Sequence, residues 1–153
     1  MKLCRLFPLL VFGLVLPPAP KATGAERGGD RASFHAILIA ASNQKSGSDR
    51  RLAPYEPTLK RILRFESYRF ISENRGVLTA PGKETLSLGQ GHKLEIEMEQ
   101  SGGETRRVRV RWLEGERTLM NTGLSLRPGV PAVLGGPPWG GGGEVCAMIL
   151  VAR

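Results

Sequence analysis

Cysteine and histidine are almost missing from this chain. It has two cysteines and two histidines in 153 residues. Cys4 lies in a leading stretch expected to be removed, which leaves Cys146 alone and excludes an intramolecular disulfide. Cys146 sits in the apolar run Val145–Val151, where a thiol reads as a small buried hydrophobe. A nucleophile would need a partly exposed, electropositive setting with a base nearby. One cysteine with the widely separated His35 and His92 gives no zinc-ligand spacing, so neither metal nor cofactor is expected. His35, on an apolar strand, is expected to be a satisfied interior residue, and His92, after Gly91 at a turn, to be solvated.

Catalytic signatures are missing as well. No G-x-S-x-G nucleophile elbow occurs, and the clustered acids Glu95, Glu97 and Glu99 sit on a strand facing solvent rather than across a cleft. The glycine-rich stretch GGPPWGGGG, Gly135–Gly143, is not a phosphate loop. Such a loop leads into a helix with Lys and Ser or Thr at fixed offsets, whereas these glycines lead into a strand and neither residue follows. A connection between the last two strands is the expected role.

What is present begins with an export signature. Lys2 and Arg5 precede the apolar stretch Leu6–Leu16, and Thr23-Gly24-Ala25 forms a small-residue cleavage site. Pro17, Pro18 and Pro20 stop the apolar run short of the roughly 20 residues that cross a bilayer. A secreted chain, periplasmic or envelope-associated after cleavage near Ala25, is the expectation. Formal net charge is +8. Residues 1–25 carry Lys2, Arg5, Lys21 and no acid, so 128 residues with 19 basic and 14 acidic side chains remain, a net +5. That is one domain's worth of chain. It lacks the dense basicity and interleaved aromatics of a nucleic-acid binder, so nucleic acid is the least suited partner.

Residues 26–33 read as a flexible leader and residues 34–153 as the domain. The run FHAILIAAS from Phe34 and the run EVCAMILVAR from Glu144 are short, apolar and β-branched, as in strands dry on both faces in the middle of a layered structure. One amphipathic helix is expected over Pro54–Phe65, with Tyr55, Leu59, Ile62 and Leu63 toward a sheet and Pro57 in its first turn. Beyond Glu66 the period becomes two. Tyr68 and Phe70 share a face; Leu94, Ile96 and Met98 alternate with Lys93, Glu95, Glu97 and Glu99; Val108, Val110 and Trp112 alternate with Arg107, Arg109 and Arg111. A hairpin at Gly102-Gly103 would set the glutamates against the arginines and neutralise them. Further turns fall at Glu114–Glu116 and Arg127–Gly129. The fold class is mainly β: a single-domain sandwich or open barrel of about eight short strands with one packed helix.

Two surfaces are candidates for binding. Trp139 is expected to fold back over the end of the sandwich; left exposed, it would be an aromatic anchor on a proline-stiffened loop. Lys60, Arg61, Arg64 and Arg69, near Arg50 and Arg51, gather around the helix and would suit an acidic protein or an anionic envelope polymer. Glu73–Arg75 and the segment Ser48–Pro57 hold polar residues able to line a pocket.

The segment LSLRPGVPAVLGGP, Leu124–Pro137, resembles a strand-turn-strand ending in paired glycines near the end of outer-membrane secretins. A secretin is far longer and carries pore-forming strands missing here, so the resemblance implies no channel. More broadly the chain is similar to small exported proteins of Gram-negative bacteria, built as signal, strand, helix and meander. The function expected from the two candidate surfaces, the loop Gly135–Gly143 and the basic helix, is that of a non-enzymatic envelope protein that binds or scaffolds another macromolecule. A hydrolase of an envelope polymer and a binding module for anionic glycan or lipid surfaces are the alternatives.

Overall fold

The two apolar runs at opposite ends of the sequence pair with each other. In the computed structural model, which describes residues 30–99 and 101–153, β1 (Arg31–Ser42) runs antiparallel to β9 (Glu144–Ala152). β2 (Ser67–Thr79) flanks β1, and β8 (Ala132–Trp139) flanks β9, giving a first sheet in the order β2-β1-β9-β8. The second sheet holds β3 (Gly82–Gly89), β4 (His92–Met98), β5 (Ser101–Gly102), β6 (Thr105–Glu114) and β7 (Arg117–Leu126). β4 and β5 both pair with the same side of β6, so the nine segments act as eight strands in two antiparallel sheets. The architecture is a sandwich rather than a barrel.

Alternation along the central strands explains the layers. Phe34, Ala36 and Leu38 of β1, with Cys146, Met148 and Leu150 of β9, meet Leu94, Ile96, Met98, Val108, Val110 and Trp112 of the second sheet. The opposite parity, Ile37, Ile39, Ala41, Ala147, Ile149 and Val151, meets Leu52 and Leu59. Leu52 lies in a short 3-10 turn (Arg50–Leu52) and Leu59 in α1 (Glu56–Leu63). The first sheet is therefore the middle layer, dry on both faces as its two runs require. The second sheet is dry on one face only. No helix among the described residues is long and apolar enough to cross a membrane.

Several boundaries differ from the sequence reading, each for a local reason. β1 starts at Arg31, not Phe34, because Ser33 exchanges backbone hydrogen bonds with Arg153. The helix is shorter than Pro54–Phe65: Pro57 sits in its first turn, and Arg64 at its C-cap is left-handed, φ 59°. Ile62 is 49% exposed, so the apolar stripe is Tyr55, Leu59 and Leu63. β2 continues past SYRFIS through Glu73–Thr79, its alternation hidden by a bulge opposite Leu38 and Ile39. The hairpin after β5 turns at Gly103-Glu104, one residue later than expected. Residues Gly135–Trp139 belong to β8, and only Gly140–Gly143 form the connection to β9. The export signal expected over residues 1–25 lies outside the described residues.

The sandwich is closed along one flank and open along the other. Ser72 Oγ donates to the Leu88 carbonyl and Asn74 Nδ2 donates to the Ser87 carbonyl at 2.8 Å, so side chains of β2 cap the free edge of β3. On the other flank β7 and β8 have no such bonds among the described residues.

Candidate functional site

The end of the sandwich nearest the glycine turn gathers His92, Trp112, Trp139 and Glu114. His92 opens β4, two residues before Leu94, so the parity that buries Leu94 buries His92 as well. It is 1% exposed, not solvated as the neighbouring turn suggested. Trp112 Nε1–H donates to His92 Nδ1 at 3.1 Å. That bond requires Nδ1 to be unprotonated, so the neutral ring carries its proton on Nε2, which lies 3.8 Å from Glu114 Oε1. Burial pushes the His92 pKa below its ordinary value, against the smaller opposing pull of Glu114.

Trp139 lies over this histidine, ring centroids 5.1 Å apart and 23° from parallel. It is half-buried and packs against the sandwich core. Gly136 makes that passage of β8 possible: a Cβ there would meet Trp112 Cη2 at 2.5 Å and the Cys146 carbonyl at 2.9 Å. Trp139 thus clasps the two sheets, one ring from β8 on one from β4. Its register partner Glu144 binds Arg69 of β2 at 2.8 Å. The tryptophan and one member of the basic cluster, separate in sequence, therefore meet at one end of the molecule.

The rest of the basic cluster spreads over the helix. Lys60 is paired with Glu56 at 2.7 Å, one turn back along α1, and Arg51 is held by Asp49 while its guanidinium lies 3.9 Å from the centre of the Phe70 ring. Arg61 and Arg64 are exposed and have no ion pair among the described residues.

Of the potential nucleophiles, Cys146 is fully buried, and burial, with the Glu114 charge adding, pushes its pKa up to about 12. His35 binds Glu73 Oε2 at 2.5 Å and shares a cavity of about 330 Å³ with Ser33, Arg75 and Val77. Of the polar segment Glu73–Arg75, Arg75 lines this cavity. The Ser33 hydroxyl, however, donates to the Arg153 carbonyl at 3.3 Å and makes no hydrogen bond to His35. The serine–histidine bond that acyl transfer needs is not formed. Among the described residues no group of three His, Cys, Asp or Glu side chains has metal-site geometry.

The outer face of the second sheet corrects one expectation. Glu95 joins Arg111 at 2.5 Å and Lys83 at 3.2 Å. Burial opposes its ionisation, yet bonds from Arg111 and Lys83 hold its carboxyl below the usual range. The neutralisation stops there. Glu97 and Arg109 are register partners without an ion pair, and Glu99 falls in the bend where the pairing with β6 shifts by one residue. Arg107 and Arg109 are exposed and unpaired among the described residues. With Glu97, Glu99, Gly123 and Ser125 they line a groove of about 390 Å³. The sequence reading missed this pair because it matched charges strand to strand; the shift lies in a two-residue strand that no pattern marks.

Comparison of the chain with protein-family models, with curated proteins and with solved structures finds no match.

Proposed function

We propose that this is an exported, non-enzymatic protein of the cell envelope that binds or scaffolds another macromolecule, an envelope protein or an anionic envelope polymer. The observation that carries this reading is the one-sided closure of the sandwich. One flank is sealed by side chains of β2, while the other presents a strand edge with no partner among the described residues, beside two arginines that form no ion pair. A protein built around catalysis concentrates converging polar groups in a concave site. Here the buried histidine is covered by Trp139, the partly buried His35 has no hydrogen bond to the nearby Ser33 hydroxyl, and the thiol is held neutral. Export is supported by the charged start, apolar stretch and small-residue site of residues 1–25.

The test is crosslinking of the protein in its native envelope beside Trp139→Ala and an Arg61→Glu, Arg64→Glu double variant. A specific partner lost with Trp139→Ala sets the contact at the glycine-turn end, and loss only in the charge-reversed variant sets it on α1. Absence of any specific partner, together with turnover of an envelope polymer by the purified protein, overturns the binding reading in favour of hydrolysis. Fractionation with sequencing of the mature amino terminus checks export; a chain retained in the cytoplasm with Met1 present refutes it.

A further inference from the structure

Among the described residues four strand edges border the two sheets, and three are guarded. β2 and β3 occupy each other through Ser72 and Asn74. β8 carries Pro137 and Pro138, which have no N–H to offer, and is bulged between Gly135 and Pro138. β7 has none of these protections. From Thr118 to Leu126 it contains no proline and no charge, and its pairing with β6 is in unbroken register from Met120 to Leu126. Among the described residues no strand and no backbone hydrogen bond occupies its outer side. An edge of this kind is a template for another strand.

The side chains beside it define what would fit. On the solvent face β7 presents Asn121, Gly123 and Ser125, opposite Arg111, Arg109 and Arg107 of β6. Gly123 leaves open space where a side chain would stand, with nothing within 4 Å of the Cβ position. A strand added outside β7 would lie about 9.5 Å from β6, two strand spacings away. Extended glutamate and arginine side chains reaching toward each other over Gly123 span that gap. On the other face Met120 and Leu124 are only partly buried against the core, so an added strand's inward side chains would cover them.

We infer that the outer edge of β7 takes up an extended segment of a partner protein as a further strand of the second sheet, a segment alternating acidic residues over Arg107 and Arg109 with apolar residues over Met120 and Leu124. A second copy of this chain fits less well. Pairing β7 with β7 would bring the unpaired arginines of both copies to the same ribbon with no acid between them. The inference rests on the binding reading and narrows it to one partner chemistry.

The experiment uses the full chain and two labelled ten-residue peptides, one alternating glutamate and valine, the other lysine and valine. Binding is read by fluorescence anisotropy, and backbone amide exchange locates it. The glutamate peptide binds and slows exchange across Thr118–Leu126, while the lysine peptide does not bind. Arg107→Glu with Arg109→Glu, and separately Gly123→Glu, weaken binding tenfold or more. Gly123 has room for a side chain, so an unchanged thermal midpoint in that variant shows the loss to be local. Binding that leaves β7 exchange unaltered, equal binding by both peptides, or a chain already dimeric through β7 overturns the proposal. If the glutamate peptide fails while envelope crosslinking still yields a specific partner, this site falls and the binding reading stands.

Discussion

The two sheets solve different problems with the same kind of strand. In β1 and β9 of the first sheet both parities are apolar, because one face meets α1 and the other meets the second sheet. In β4 and β6 one parity is apolar and the other charged, because one face meets water. The first sheet can hardly vary at any central position, whereas the second is free at every other residue. Anything that evolves to touch a partner is more easily written on the second.

The sharpest way to break this contrast is truncation at neighbouring positions. Ile37→Ala and Leu38→Ala, on opposite faces of β1, each lower stability by about 2–5 kcal/mol in chemical denaturation. In the second sheet the paired experiment splits: Ile96→Ala has an effect of that size, and Thr85→Ala on the solvent face changes stability by less than about 0.5 kcal/mol. Equal losses at Thr85 and Ile96 would mean that the outer face of the second sheet is covered after all.

The glycines sharpen the comparison at smaller scale. Gly136→Ala drives a methyl into Trp112 and the Cys146 carbonyl and destabilises by about 1–3 kcal/mol. Gly123→Ala has open space and is neutral or stabilises by up to about 1 kcal/mol, through a less flexible unfolded chain. Thermal midpoints of the two variants separate these outcomes.

His92 makes the sandwich end pH-sensitive. Its folded pKa lies below the ordinary 6.5, so between those values the unfolded chain binds a proton that the folded chain refuses. Stability is full above about 6.5 and declines as the pH falls below it. The His92→Gln variant, whose amide oxygen can still accept from Trp112, loses that decline; identical slopes for both proteins between pH 5 and 6.5 would remove His92 as its source. The smallest effect expected is at Cys146. With a pKa near 12, its thiol is inert to alkylation at pH 8 in the folded protein and reacts on unfolding, as a thiol-reactive dye reports.

Period two and dry-both-sides runs made most of this architecture legible. FHAILIAAS and EVCAMILVAR could belong only to a middle layer, and they do. The inward rows Leu94–Met98 and Val108–Trp112 were equally plain. Parity is hard to see where a local signal competes with it. The turn at Gly91 masks the parity that His92 shares with Leu94, and the helical spacing of Ile62 masks the end of α1 one residue beyond it. The stretch Gly135–Trp139 was read from its glycines and prolines, whereas its pairing with β9 makes it a strand. Of the candidate binding residues, Trp139 and Arg69 converge on one end and Lys60 is spent on Glu56; outside that set, Arg107 loses its acidic partner to a register shift no composition reveals, and Arg109 forms no ion pair although Glu97 lies opposite it.

The pairing of β1 with β9 also governs when this domain can form. β1 finds its central neighbour only in residues 144–152, so its contacts close a loop spanning most of the described residues. Folding of the middle layer is therefore deferred until residues 144–152 have been made, and topology of this kind is slow. A polypeptide that cannot assemble its own centre until its last described strand is made stays open along β1 for most of that time.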